Sequence, residues 1–318
     1  MHLTGTMRRA VVRLMCRVAG CGQIPSRKDQ ELASLPPIVC AVDDNFELPV
    51  RVLLHSLAVT HRHCLDELRV VILHDALSLA SRTRIRAHAE QLGLRLELVQ
   101  SPPVDPRFPV WRRFTAAIYL RLKVHEVLAD ESRVLYLDSD LLIMDDIREL
   151  LTQPLDGFAL GAVRDPVRPT LGCGGALPSW DHLDFAADRE YFNSGVLLLD
   201  LDKCRSTGLL DRASKILAER PEVARFPDQD ALNWSADDNW LRLDQRWNTF
   251  AMSIVARRAD YLHSAEHVVS LESLLRAEEV ASILHFSGRN KPWQDSCPQS
   301  RSRDLYRQLL RVVERSVR

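Results

Sequence analysis

The chain has 318 residues, 46% hydrophobic and 27% charged, which excludes a disordered or fibrous protein and allows one large domain or two small ones. Its net charge of −1 combines basic ends, +4 over residues 1–34 and +4 over 301–318, with a body at −9, which argues against a broad nucleic-acid face on the body. No apolar run reaches the length of a bilayer span, and seven cysteines without a CxxC pair fit free thiols in a reducing cytosol better than a disulfide scaffold or zinc ribbon.

Residues 1–34 read as a basic, flexible extension, with order expected from Leu35. IVCAV (38–42) reads as a buried strand, and residues 47–62 follow as a helix with apolar residues at 48, 52, 53 and 57. Strand 68–74, helix 78–92 and strand 94–99 continue the alternation. Four prolines between 102 and 109 mark a loop. A helix over 115–128 leads into strand 133–137. Strands at 158–163 and 195–201 are separated by a loop (164–190) rich in Gly and Pro that carries GCGGALPSWDH. Helices at 208–220 and 228–236 and a strand at 281–286 complete the body. Strands interleaved with helices predict an α/β sheet covered on both faces, with ligands beyond the carboxyl ends of strands.

Those ends carry the chemistry. In VLYLDSDLLI (134–143) two carboxylates, Asp138 and Asp140, lie one residue apart, and alternate residues of an extended chain share a face. Together they suit a hard divalent cation held against phosphates; a surface turn, or a phosphohydrolase with Asp138 as nucleophile, are the other readings. HFSGRNKPW (285–293) adds His285 as a metal-ligand type, Gly288 for close backbone approach and Lys291 as a phosphate-binding cation, one of only five lysines. YFNSGVLLLDLDKCR (191–205) and DQDALN (228–233) add Asn193, Gly195, Asp228 and Gln229; N-capping explains Asp228 but hardly Gln229.

Seven motifs, namely AVDDNF (41–46), TAAIYLRLK (115–123), VLYLDSDLLI, YFNSGVLLLD, DQDALN, RWN (246–248) and HFSGRNKPW, occur in the order of glycosyltransferase family 8, which the chain resembles over roughly residues 38–297. The resemblance implies a GT-A fold with a mixed, mostly parallel sheet flanked by helices. It also implies Mn²⁺-dependent (or Mg²⁺-dependent), retaining transfer of galactose or glucose from a UDP-sugar to a saccharide or lipid-linked acceptor, as in lipopolysaccharide biosynthesis. Carried over by position, Asp138, Asp140 and His285 are the implied metal ligands, with Ser139 between them. Ala41 (through its backbone), Asp43 and Asn45 match the uracil and ribose contacts; Phe46 stands where many relatives have Tyr. Gly288 and Lys291 match the diphosphate contacts, and Arg121, Asp165, Asn193, Asp228 and Gln229 surround the transferred sugar. A non-catalytic nucleotide-sugar or carbohydrate-binding module on the same fold is the competing class.

Residues 35–300 thus read as the catalytic domain and 301–318 as a basic amphipathic helix. Leu305, Leu309, Val312, Val313 and Val317 share one side of that helix. It would either pack on the body or give a cytoplasmic protein peripheral contact with a membrane face.

Overall fold

The computed structural model describes residues 35–110, 115–173, 175–178, 180–256, 263 and 265–316. The extension expected over residues 1–34 lies outside them. In chain order the regular elements are β1 (Ile38–Ala41), α1 (Glu47–Thr60), β2 (Arg69–His74), α2 (Leu79–Leu92) and β3 (Arg95–Gln100), then α3 (Val124–Val127), β4 (Arg133–Leu137), β5 (Leu141–Ile143), α4 (Arg148–Thr152) and β6 (Leu160–Arg164). They continue with β7 (Phe192–Asp200), α5 (Leu201–Thr207), α6 (Leu209–Glu219), α7 (Pro227–Ala236), β8 (Leu241–Arg242), β9 (Thr249–Phe250), α8 (Leu271–Glu279), β10 (Ile283–His285) and α9 (Arg301–Arg315).

Local signals explain most boundaries. Ser78 caps α2 by accepting from the Ser81 N–H at 3.2 Å, and Gly93, in the left-handed region at φ 73°, ends it. Asp200 closes β7 and caps α5 through the Lys203 N–H at 2.8 Å. The expected helix over 115–128 is mostly a 3₁₀ run, Ala116–Lys123, with α-geometry only in α3. Tyr119, Leu120, Arg121 and Leu122 are all buried within that run.

A seven-stranded sheet runs β3-β2-β1-β4-β7-β6-β8. It is parallel at β1–β2, β1–β4, β2–β3 and β6–β8, and antiparallel at β4–β7 and β6–β7. Alternate residues of β1 feed different cores. Ile38 and Cys40 join α1 and α2 on one face, while Val39 joins the 3₁₀ run and α5–α7 on the other. Strand order reverses at β1 and β4, which opens a crevice at their carboxyl ends. A second sheet, β5-β10-β9, stands beside it. It explains why apolar residues resume after Asp140: Leu141, Leu142 and Ile143 are β5, paired antiparallel with β10.

The terminal helix packs on the body. Tyr306, Leu309, Leu310 and Val313 are buried with Val52 and Val59 of α1, Leu142 and Phe286. Burial stabilises Leu309, Leu310 and Val313 by about 1.5–3 kcal/mol each over exposure. Of the two alternatives for this helix, packing on the body is the one seen, and the apolar side on which membrane contact rested faces inward; Val312 stays exposed and Val317 lies outside the described residues. Among the described residues no helix is long and apolar enough to cross a membrane. Cys40, Cys64, Cys173, Cys204 and Cys297 are free and buried.

Candidate active site

Strand register brings the acid pair and the histidine together. In the β5–β10 ladder His285 lies opposite Leu141, the residue after Asp140, and the Phe286 N–H donates to Asp140 O at 3.0 Å. His285 Nε2 is 3.4 Å from Asp140 Oδ1 and 4.0 Å from Asp138 Oδ2. One ligand atom from each of these residues lies within 4.8 Å of the others. Two carboxylate oxygens and one imidazole nitrogen suit a divalent ion such as Mn²⁺ or Mg²⁺. The space between them is preserved by Gly195: a Cβ there would lie 2.4 Å from His285 Cε1, 2.9 Å from Asn193 Oδ1 and 3.0 Å from Asp138 Oδ2. Donor set and cradle therefore fit a divalent cation.

The two acids differ in proton affinity. Burial raises Asp140, but the Lys291 ammonium and then His285 outweigh it and hold the carboxyl well below the usual carboxylate range. Lys291 Nζ pairs with Asp140 Oδ2 and also donates to Phe286 O at 3.0 Å. Asp138 is pushed up, chiefly by burial and further by the Asp140 carboxylate, against the opposing charge of Arg121.

Behind the acids stands a wall of paired polar groups. Arg121 Nη2 donates to Asp138 Oδ1 at 2.7 Å, Nη1 donates to Ser194 O at 2.7 Å, and Nη1 lies 3.1 Å from Asp228 Oδ2. The Ser194 hydroxyl donates to the same Asp228 oxygen at 2.9 Å. Gln229 Oε1 accepts from Asn193 Nδ2 at 2.7 Å and from the Ser194 N–H at 3.2 Å, while Gln229 Nε2 donates to Asp165 Oδ2 at 3.2 Å. Asp165 Oδ1 is held by the Val167 and Arg168 N–H groups at 2.9 and 2.8 Å. All five residues assigned to the sugar side by resemblance thus meet in one buried network.

The residues matched by resemblance to the nucleotide contacts gather at the end of β1. Ser139 Oγ donates to Ala41 O at 3.1 Å and ties β4 to β1 across the crevice. Asp43 caps the 3₁₀ turn Asp44–Phe46, accepting from the Asn45 and Phe46 N–H groups at 2.9 and 3.2 Å. Phe46 meets Trp293 edge-on at 5.8 Å, which links this turn to the loop of Lys291. Gly288, at φ 97°, takes that loop through a conformation that disfavours any side chain.

Some participants escape reading by residue type. Asn248, fully buried, bridges His285 Nδ1 (2.8 Å) and Asn193 Oδ1 (2.8 Å); RWN marks its position without indicating either partner. From α9, Tyr306 packs on Phe286 and Trp293 with centroids at 5.0 and 5.6 Å. Arg307 donates to Pro292 O at 2.9 Å and Gln294 O at 2.8 Å, clamping the Lys291 loop. No motif flags these two.

The model for glycosyl transferase family 8 matches residues 37–297. The lipopolysaccharide 1,2-glucosyltransferase of Escherichia coli (strain K12) is 30% identical over 261 residues, covering 80% of this chain and 72% of that protein. General stress protein A of Bacillus subtilis (strain 168) is 24% identical, over 85% of this chain and 90% of that one. Among solved structures, the galactosyltransferase LgtC, in complex with donor and acceptor sugar analogs, superposes with a TM-score of 0.70 at 25% identity, covering 87% of this chain and 95% of that one. The fold is the GT-A type shared with LgtC. With the family pattern matched along most of its length, on this fold and around this crevice, the chain belongs to glycosyl transferase family 8.

Proposed function

We propose that the protein is a retaining hexosyltransferase that moves galactose or glucose from a UDP-sugar to a saccharide or glycolipid acceptor with Mn²⁺, on the cytoplasmic side where such donors are made. The observation that carries this reading is the placement of Asp138, Asp140 and His285 within one cation's reach, beside Lys291, at the carboxyl ends of β1 and β4. The glucosyl- and galactosyltransferase relatives support a hexose donor, and the lipopolysaccharide relative a glycolipid acceptor.

Asp138, Asp140 and His285 would hold a divalent ion, which would supply a Lewis acid for the donor diphosphate. Lys291, whose loop is fixed by Arg307, adds a positive charge where the departing UDP gathers negative charge, and that interaction strengthens as the bond breaks. Asp43, Asn45 and Phe46 hold the nucleoside end in this reading. The transferred sugar gains oxocarbenium character over the wall of Asp165, Asn193, Asp228 and Gln229. Gln229 Oε1 already accepts two hydrogen bonds, so it orients the sugar and offers a carbonyl dipole rather than acting as a nucleophile. Asp228 is neutralised by Arg121 and Ser194, and Asp165 by two backbone N–H groups and Gln229. Neither carboxylate is left as a free base for the acceptor. This favours retention, with the leaving phosphate taking the acceptor's proton.

The test is UDP release from UDP-galactose and UDP-glucose, with Mn²⁺ and with EDTA, for wild type and Asp140→Asn. Release from one donor that needs metal and is lost in the variant supports the reading and names the sugar. Phosphate release from simple phosphate esters would favour a phosphohydrolase. An absence of both release and UDP binding by calorimetry would favour a binding module.

A further inference from the structure

The amide groups beside the acid cluster form one hydrogen-bonded chain, and three groups of fixed polarity give its direction. The Gly195 N–H can only donate, and it gives to Asn193 Oδ1 at 3.0 Å. The Asn248 group 2.8 Å from the same oxygen is therefore its NH₂, so the Asn248 oxygen is the atom 2.8 Å from His285 Nδ1. An oxygen there requires Nδ1 to carry the hydrogen. Further along, the Ser194 N–H can only donate and fixes Gln229 Oε1 as an acceptor, which makes the facing Asn193 group an NH₂. The third anchor is Asp165, an acceptor when ionised, which needs the Gln229 NH₂ and receives it at 3.2 Å. All three anchors give one polarity, running from His285 through Asn248, Asn193 and Gln229 to Asp165.

We propose that Asn248 is a positioning residue that keeps a hydrogen on His285 Nδ1, leaving Nε2 as the ring nitrogen aimed at a cation shared with Asp138 and Asp140. Nε2 is the ring nitrogen on the acid side, 3.4 Å from Asp140. The hydrogen bond to the far nitrogen of a metal-ligating histidine fixes ring and tautomer, and losing it typically costs about 10–100-fold in metal affinity. Asn193 Oδ1 accepts from Asn248 while Asn193 Nδ2 donates to Gln229, so the ligand's tautomer and the orientation of the sugar-side wall are set by one network. The inference rests on the metal-dependent reading above.

The first measurement needs no variant. Two-bond ¹H–¹⁵N spectra of metal-free, ¹⁵N-histidine-labelled protein, in a buffer alkaline enough to leave the ring neutral, report the tautomer of His285, assigned by its absence in His285→Gln. The Nδ1–H form is expected, and an Nε2–H form overturns this proposal alone. Mn²⁺ titration in the presence of UDP, with free Mn²⁺ read by electron paramagnetic resonance, then compares variants. Asn248→Leu is expected to bind Mn²⁺ about 10–100-fold more weakly and to admit the Nε2–H form. Asn248→Asp keeps an acceptor at Nδ1, although it sets an oxygen against Asn193 Oδ1; it is expected to retain the tautomer, and loss of the Nδ1–H form there would overturn the assignment. Wild-type tautomer and affinity within twofold in Asn248→Leu would overturn the assignment. Failure of the wild type to bind Mn²⁺ at all would overturn the proposed function and this inference together.

Discussion

Replacing Arg121 by methionine keeps most of the side-chain volume and removes the charge that two buried carboxylates share. The guanidinium lies 2.7 Å from Asp138 Oδ1 and 3.1 Å from Asp228 Oδ2, and it donates to Ser194 O at 2.7 Å and Ile118 O at 2.9 Å. At about 3 Å and an effective dielectric near 20, Coulomb attraction is about 5 kcal/mol per pair, an upper bound that desolvation of the buried ions offsets in large part. Removing one partner of a buried pair typically costs about 3–5 kcal/mol, and with two acids stranded the upper half of that range is expected. For a domain of this size that corresponds to a fall in Tm on the order of 10–15 °C. With Arg121 gone, burial and Asp140 push Asp138 further up, so the variant is least destabilised in acid and its deficit grows as pH rises. Urea unfolding followed by tryptophan fluorescence in metal-free buffer measures the loss. Asp228→Asn in the Arg121→Met background should restore at least about 1 kcal/mol, because contacting sites couple. A loss below about 1 kcal/mol, or a double variant no more stable than the single one, would refute the view that Arg121 is the counter-ion of both acids.

Three further outcomes follow from the geometry. Burial, with His55 and Arg51 alongside, lowers His88 from its ordinary 6.5 to about 4, so the unfolded chain binds the extra proton between those values. Stability is then full above pH 6.5 and falls by about 3 kcal/mol as pH drops to 4; His88→Gln should flatten that part of the urea-midpoint profile, and an unchanged slope would exclude His88 as its source. Gly195→Ala places a methyl group 2.4 Å from His285 Cε1 and should weaken Mn²⁺ binding by at least about tenfold with a stability loss of about 1–3 kcal/mol, read by calorimetry and unfolding. Wild-type Mn²⁺ affinity in that variant would mean that the ion sits elsewhere. Arg307→Ala removes two charged hydrogen bonds to the Lys291 loop and should weaken UDP binding by about 3–30-fold without loss of helical circular dichroism; an unchanged UDP Kd would show that the loop holds its shape without α9.

How much of this was legible in the sequence depends on how far each signal must reach. The alternation of apolar strands and amphipathic helices predicted the α/β sheet, and the Asp138-Ser139-Asp140 step announced itself through charge beside an apolar run. The pairing that brings His285 to those acids did not. Strands β5, β9 and β10 are two or three residues long, and the β5–β10 register joins segments more than 100 residues apart. Residues 116–123, read as part of a longer helix, are a 3₁₀ run, a difference of winding that apolar spacing over so few turns does not report. The stripe on α9 was visible, but a stripe does not state what covers it, and here α1 does. Asn248 was quoted inside RWN without a role, since an asparagine acquires direction only from the groups it meets.

The acid cluster also has a history in time, because its members are scattered along the chain. Asp140 and His285 are 145 residues apart, and at roughly 5–20 residues per second a ribosome takes about 7–30 s to add the second after the first. Throughout that interval the two aspartates of the nascent chain lack both His285 and Lys291. The seven-stranded sheet can close once β8 is made, but β5 waits for β10, and the Lys291 loop waits for Tyr306 and Arg307. The cluster and its clamp are therefore complete only once β10 and α9 have both been made. A chain that stops before β10 lacks His285 and Lys291, and with them part of the acid cluster's partners.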